Sequence, residues 1–257
     1  MKSMLAMLLA AMPAIATAGT PAEYLTPAFH QGEQFSNVFS RTIAYRATGF
    51  DENVRRVSGS ARYRVLDGSA TQPRLRIDYR YDGLQQGSGT VEFRDGGAIS
   101  CFNGKCTPNT DASGLAWNPR LWGTPPAALR VGQSWSVDIA APWELGPPGT
   151  QKVTVIALDP VSQRITLLRE GSGDGAYLDD KLAMTLTRDG QSWPVTVQPG
   201  RSHWYGYTTF RAGVVVSDEL VVERPVTLAS DKLGRIAGSQ REYILFNAMP
   251  PKDAAGL

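Results

Sequence analysis

The chain has 257 residues, 42% of them hydrophobic and 19% charged, with a formal net charge of +2 at pH 7. Such a balance implies no nucleic-acid or other polyanion partner, while the length suffices for one substantial core and does not demand two domains. With two histidines and two cysteines, the chain has too few soft ligands for a structural Cys/His zinc site, and no metal or cofactor is expected.

The opening stretch, MKSMLAMLLAAMPAIATAG, starts on Lys2, continues through an apolar run containing Pro13, and ends in Ala16-Thr17-Ala18, a small-x-small cleavage pattern. The run is well short of the roughly 20 residues that span a bilayer. Residues 1–18 are therefore expected to be a secretory signal cut after Ala18, with residues 19–257 a single β domain that is periplasmic or secreted. No cysteine near position 19 is available to carry a lipid. Every later apolar run is interrupted by charge, Gly or Pro, so no integral membrane segment is expected after signal removal.

From about residue 38 the chain alternates with a period of two. Ile43, Tyr45 and Ala47 oppose Thr42, Arg46 and Thr48; Val57, Gly59, Ala61, Tyr63 and Val65 oppose Arg56, Ser58, Ser60, Arg62 and Arg64. Leu75, Ile77, Tyr79 and Tyr81 oppose Arg74, Arg76, Asp78 and Arg80, and Val91 and Phe93 oppose Glu92 and Arg94. One apolar and one wet face on successive strands is the pattern of an antiparallel meander.

The hexapeptide CFNGKC, residues 101–106, holds both cysteines. Asn-Gly is the strongest short hairpin signal, because a type I′ turn needs positive φ at both central residues. With Asn103 and Gly104 at the tip, Cys101 faces Cys106 as a non-hydrogen-bonded pair, whose short Cα separation lies within reach of a disulfide. A redox-active pair would instead sit as C-x-x-C at a helix N-terminus. An oxidising compartment favours the staple.

Residues 107–133 interrupt the alternation with four prolines and two tryptophans. A stretch of that length is expected to be a functional loop or a linker, with a short helical turn after Asn118-Pro119. Strand patterns resume at 134–140, 151–159, 163–171, 180–189, 192–198, 201–213, 214–229 and 241–248. Among these, VTVIAL is apolar on both faces and is expected to be central or doubly covered. Asp159-Pro160, Asp189-Gly190, Pro199-Gly200 and Ala212-Gly213 mark the turns.

No enzyme signature rises above background, and no catalytic residue is assigned. GSGDG, residues 171–175, lacks the spacing of a nucleophile elbow and the ending of a P-loop, and reads as a hairpin loop. Asp174, Asp179 and Asp180 lack EF-hand spacing. Paired carboxylates that meet only in space stay open as a hydrolase reading.

Binding candidates are of two kinds. Arg62, Arg64, Arg74, Arg76 and Arg80 project from the polar side of neighbouring strands, and arginine outnumbers lysine 20 to 6. They form either a basic face for an anionic envelope component or lipid headgroup, or a solvated face of cross-strand ion pairs. Trp117, Trp122 and Trp143 in Pro/Gly-rich segments, with His203 and Trp204 in PGRSHWYGYTTF, are candidates for covering an apolar ligand or for anchoring loops into the core.

RVGQSW, PWELGPPGTQKVTV and the long alternating strands over about residues 38–248 resemble a group of exported bacterial β-rich proteins. More distantly, they are similar to periplasmic lipoprotein-carrier-like half-barrels, curled antiparallel sheets that hold acyl chains on the concave side, although helical lid segments like theirs are absent from the pattern. The expected fold is all-β, a long-stranded antiparallel meander curled into an open half-barrel or barrel-like sheet. The expected function is non-enzymatic binding of an amphipathic or acyl ligand in the bacterial envelope, with residues 107–133 partly covering the mouth. The alternatives are an envelope or polysaccharide hydrolase and an assembly module using the basic face.

Overall fold

The computed structural model describes residues 19–82, 85–94, 97–109, 115–139, 148–174 and 182–249. About 71% of them lie in strands and 4% in helices. The N-terminal meander comprises β1 (Gln34–Ala47), β2 (Asn53–Gly68), β3 (Pro73–Tyr81), β4 (Gln85–Arg94), β5 (Gly97–Phe102) and β6 (Lys105–Asn109). The C-terminal half comprises β7 (Ser134–Ile139), β8 (Gly149–Asp159), β9 (Arg164–Gly173), β10 (Leu182–Arg188), β11 (Gln191–Pro199), β12 (Ser202–Arg211), β13 (Val214–Ser230) and β14 (Gly234–Met249). The helices among the described residues are two short turns, α1 (Pro21–Leu25) and α2 (Pro119–Trp122).

The described strands form one antiparallel sheet, twelve of them in the order β6-β5-β4-β3-β2-β1-β14-β13-β12-β9-β8-β7, with β10 and β11 off this path and joined to it through the pairing of β11 with β13. It is not closed into a barrel and has the form of an open half-barrel. The last strand lies beside the first, with Ser36 opposite Met249 and Ala47 opposite Gly238. The outermost strands are short, and β6 carries Pro108, whose missing N–H blunts that edge.

The sheet forks at β13. Residues from Val214 to Glu223 pair with β12, whereas Val226 to Ala229 pair with β11. Pro225 sits at the changeover, and its carbonyl accepts from the Gly200 amide at 2.8 Å. Its missing N–H faces the same side, where no strand continues, so the ladder to β14 loses nothing. Beyond the fork the β10–β11 hairpin curls back until Thr187 O accepts from the Asp51 amide at 2.8 Å and Thr185 O from Asn53 Nδ2 at 3.2 Å. One end of the trough is thereby nearly closed.

Alternation places the apolar side chains on the inner face, where they form three clusters. At the end holding α1 and α2, Tyr24, Trp122, Leu129, Trp204 and Phe210 pack with β7–β9 and β12–β14. Phe29, Tyr63, Leu75, Ile77 and Leu115 pack along β2–β5. At the curled end, Tyr45, Met184, Leu186, Val195 and Leu228 form the third. Residues 19–33 and 115–129 lie over the first two, tied by Gly19 pairing with Leu129 and Ala116 pairing with Val214.

The expected turns form as read. Asn103 (φ 50°) and Gly104 (φ 75°) make the type I′ tip, and Cys101 and Cys106 are disulfide-bonded with a Cα separation of 4.0 Å. Two local expectations are corrected. Ile156 in VTVIAL is 38% exposed rather than covered, because alternation from buried Val153 and Val155 already puts it on the outer face; the bulge between Val155 and Ala157 then resets the phase so that Ala157 is exposed too and Leu158 returns to the core. Gly171 to Gly173 belong to strand β9 rather than to a loop, paired with both β8 and β12. The Trp204 indole occupies the space over Gly171, where a Cβ would come within 2.4 Å of it.

A candidate ligand cavity above a belt of arginines

Between the helical end and the curled end, the inner face changes from apolar to charged. Register explains the change. Glu242 on β14 lies opposite Ile43 of β1 and Val222 of β13. Arg41 is two residues from Ile43 and Arg224 two residues from Val222, so both arginines project to the inner face diagonally beside Glu242. Arg41 Nε pairs with Glu242 Oε1, and Arg224 Nη2 lies 3.7 Å from Glu242 Oε2. Glu242 and Arg224 are buried, whereas the Arg41 side chain is 33% exposed.

Arg55 extends the belt. It sits opposite Ile43 on the far side of β1, two strand spacings or about 10 Å of backbone from Glu242. Its side chain is exposed and makes no hydrogen bond or ion pair among the described residues. Arg41, Arg55, Arg224 and Glu242 all act electrostatically on the Tyr45 hydroxyl, although burial is the main cause that pushes it above its ordinary value. Burial also pulls Arg224 down from the usual arginine value, and the Glu242 carboxylate opposes that shift. The belt therefore sets three guanidinium groups against one carboxylate.

A cavity of about 470 Å³ adjoins it, lined by Phe39, Val57, Tyr81, Ile244 and Phe246 together with Arg41, opposite Ile244, and Asp218, opposite Phe246. Phe39 and Tyr81 meet edge to face with centroids 5.4 Å apart. Asp218 is fully engaged: Arg169 Nη2 donates to both its oxygens at 2.7 and 2.6 Å, and the Thr208 hydroxyl donates at 2.5 Å. Arg169 is itself buried beneath the Trp122 ring, 5.3 Å from its centroid. Apolar walls with a few placed polar groups, at this volume, are the usual makeup of a small-molecule site.

The residues singled out from sequence fall elsewhere. Trp117 and Trp122 stack at 5.6 Å and Trp122 meets Phe210 at 5.3 Å, so both belong to the core under α2. Trp204 is buried in the same cluster, its Nε1 donating to Gln151 Oε1 at 3.0 Å. Trp143 lies outside the described residues. His203 is on the opposite face from Trp204, as strand alternation requires. There it borders an outer groove of about 480 Å³ with Arg46, Glu223 and Arg241.

Arg62, Arg64, Arg74, Arg76 and Arg80 are on the outer face as read. Arg74 pairs with Asp67, and Arg76 lies 3.1 Å from Asp78, so much of that face is an array of exposed ion pairs of small individual worth. Sequence reasoning missed the belt itself. Its signal was phase: Arg41 and Arg55 fall in step with Ile43 and Val57, and Glu242 in step with Ile244, where alternation predicts apolar side chains.

Among the described residues no helix is long and apolar enough to cross a membrane. No family model and no curated protein sequence matches the chain.

Proposed function

We propose that this is an exported, non-enzymatic β-protein that holds an amphipathic or acyl ligand in the inner cavity bounded by Phe39, Val57, Tyr81, Ile244 and Phe246. The observation that carries the reading is the cavity itself: about 470 Å³ of space with aromatic and aliphatic walls and two charged side chains, Arg41 on the belt side and Asp218 already neutralised by Arg169. An elongated apolar ligand gains by burial against those walls at about 25 cal/mol per Å² of apolar surface, and its polar end lies on the side of Arg41 and the belt. The N-terminal pattern around Ala16-Thr17-Ala18 and the Cys101–Cys106 disulfide support export to an oxidising compartment. Asp218 and Glu242, the inner carboxylates beside the cavity, are each held by arginine, which favours binding over hydrolysis.

The test is titration with a fluorescent acyl probe, alongside lipid extraction of native protein. Saturable binding by the wild type, lost in Phe39→Glu with an unchanged far-UV spectrum, supports the reading. Phe39 lines the cavity and lies outside the three core clusters, so a charge there blocks the space without removing a core side chain. No probe binding and no co-purified lipid refutes it.

A further inference from the structure

The outer groove near His203 and the aromatic core under α2 carry no comparable constellation, whereas the belt beside the cavity has an unbalanced charge at a defined place. Arg224 and Arg41 share the single Glu242 carboxylate, and Asp218 is compensated by Arg169 and Thr208. Arg55 then adds a further guanidinium on the same face, two residues along β2 from the cavity-lining Val57, with no acidic partner among the described residues. Each of these positions follows from strand register.

We infer that the cavity selects anionic amphiphiles, with a carboxylate or phosphate headgroup held by Arg55 beside the Arg41–Glu242 pair and the apolar chain lying along Phe39, Tyr81 and Phe246. This rests on the amphiphile-binding reading above and adds to it the sign of the headgroup. The planar guanidinium suits bidentate contact with either oxyanion. Arg55 serves as the docking cation because its side chain is exposed, while Arg224 is buried and committed to Glu242. The belt lies between the apolar cavity and the curled end plugged by Tyr45, Leu186 and Leu228, so the headgroup points toward β10–β11 and the tail toward Phe246. A cationic amphiphile in that orientation meets like charge.

The experiment compares a saturated fatty acid, its alkyl phosphate, the alcohol of equal chain length and the corresponding trimethylammonium salt, all below their micelle concentrations, as competitors of the fluorescent acyl probe. The wild type is expected to bind the fatty acid or the alkyl phosphate about tenfold more tightly than the alcohol, the scale of one charge-assisted hydrogen-bonded contact, and the ammonium salt most weakly. Comparing carboxylate with phosphate tells the two headgroups apart. Arg55→Ala is expected to erase the anion preference while leaving the alcohol unchanged, and Arg55→Glu to shift preference toward the ammonium salt. Equal competition by all headgroups, or an anion preference unaltered in both variants, overturns the inference while leaving amphiphile binding intact. Failure of the probe and every competitor to bind refutes the underlying reading and the headgroup assignment together.

Discussion

Glu242 gives the sharpest test of the belt. Arg224 is buried at 6% exposure and its counterion is Glu242, itself 2% exposed, so Glu242→Ala strands a guanidinium that stays protonated in a water-poor site. Breaking a buried pair from one side costs about 3–5 kcal/mol. Arg41 contributes less to that loss because a third of its side chain already reaches solvent, where ion pairs are worth about 0–1 kcal/mol. For a chain of this size each kcal/mol shifts the melting midpoint by about 2–4 °C, so Glu242→Ala should lower it by about 6–20 °C. Urea unfolding followed by tryptophan fluorescence should show a lower midpoint at unchanged slope. The order should be Glu242→Ala more damaging than Arg224→Ala, which leaves Glu242 paired with Arg41, and Arg41→Ala the mildest. Glu242→Ala within 1 kcal/mol of wild type, or an Arg41 variant more damaging than an Arg224 variant, would refute the reasoning.

Three further outcomes are expected. Gly171→Ala should cost about 1–3 kcal/mol by overpacking, since the new methyl meets Trp204; tryptophan emission should shift to the red, and an unchanged spectrum and midpoint would count against the packing described. Replacing Cys101 and Cys106 with serine should cost less than about 3 kcal/mol of stability, because the closed loop is short; thermal melts with and without reductant measure it, and a larger loss would mean the bridge holds more than its own hairpin. Tyr45 and Tyr63 are both pushed above the ordinary value of 10.0, chiefly by burial. Their neutral forms are favoured in the folded state, so this stability is complete below pH 10 and is lost as pH rises through the raised folded values. Alkaline unfolding curves should therefore steepen above pH 10, and Tyr45→Phe with Tyr63→Phe should flatten that limb.

Much of the fold was legible because each outer arginine from Arg56 to Arg94 alternates with an apolar residue, and a half-buried sheet allows few other readings. The disulfide was legible because Asn103-Gly104 fixes the register of its own hairpin. The pairing of β1 with β14 was not, since alternation says which face a residue takes but nothing about which distant strand lies alongside. The belt was hidden for the same reason. A charged residue in the apolar phase, such as Arg41 or Glu242, reads as an irregularity until the register sets the two beside each other. Tryptophans in Pro-rich segments were ambiguous in kind: the same amphipathic ring serves a binding mouth or a core, and packing against Phe210 placed Trp117 and Trp122 in the core.

The seam between β1 and β14 constrains how the molecule forms. Synthesis delivers β1 early and its neighbour last, so in a growing chain one flank of β1 stays bare, with amide and carbonyl groups able to recruit a stray strand. Closing that seam spans nearly the whole polypeptide, and such remote contacts make for slow assembly. Shortening the C-terminus before residue 234 should accordingly yield aggregation-prone material rather than a smaller folded unit.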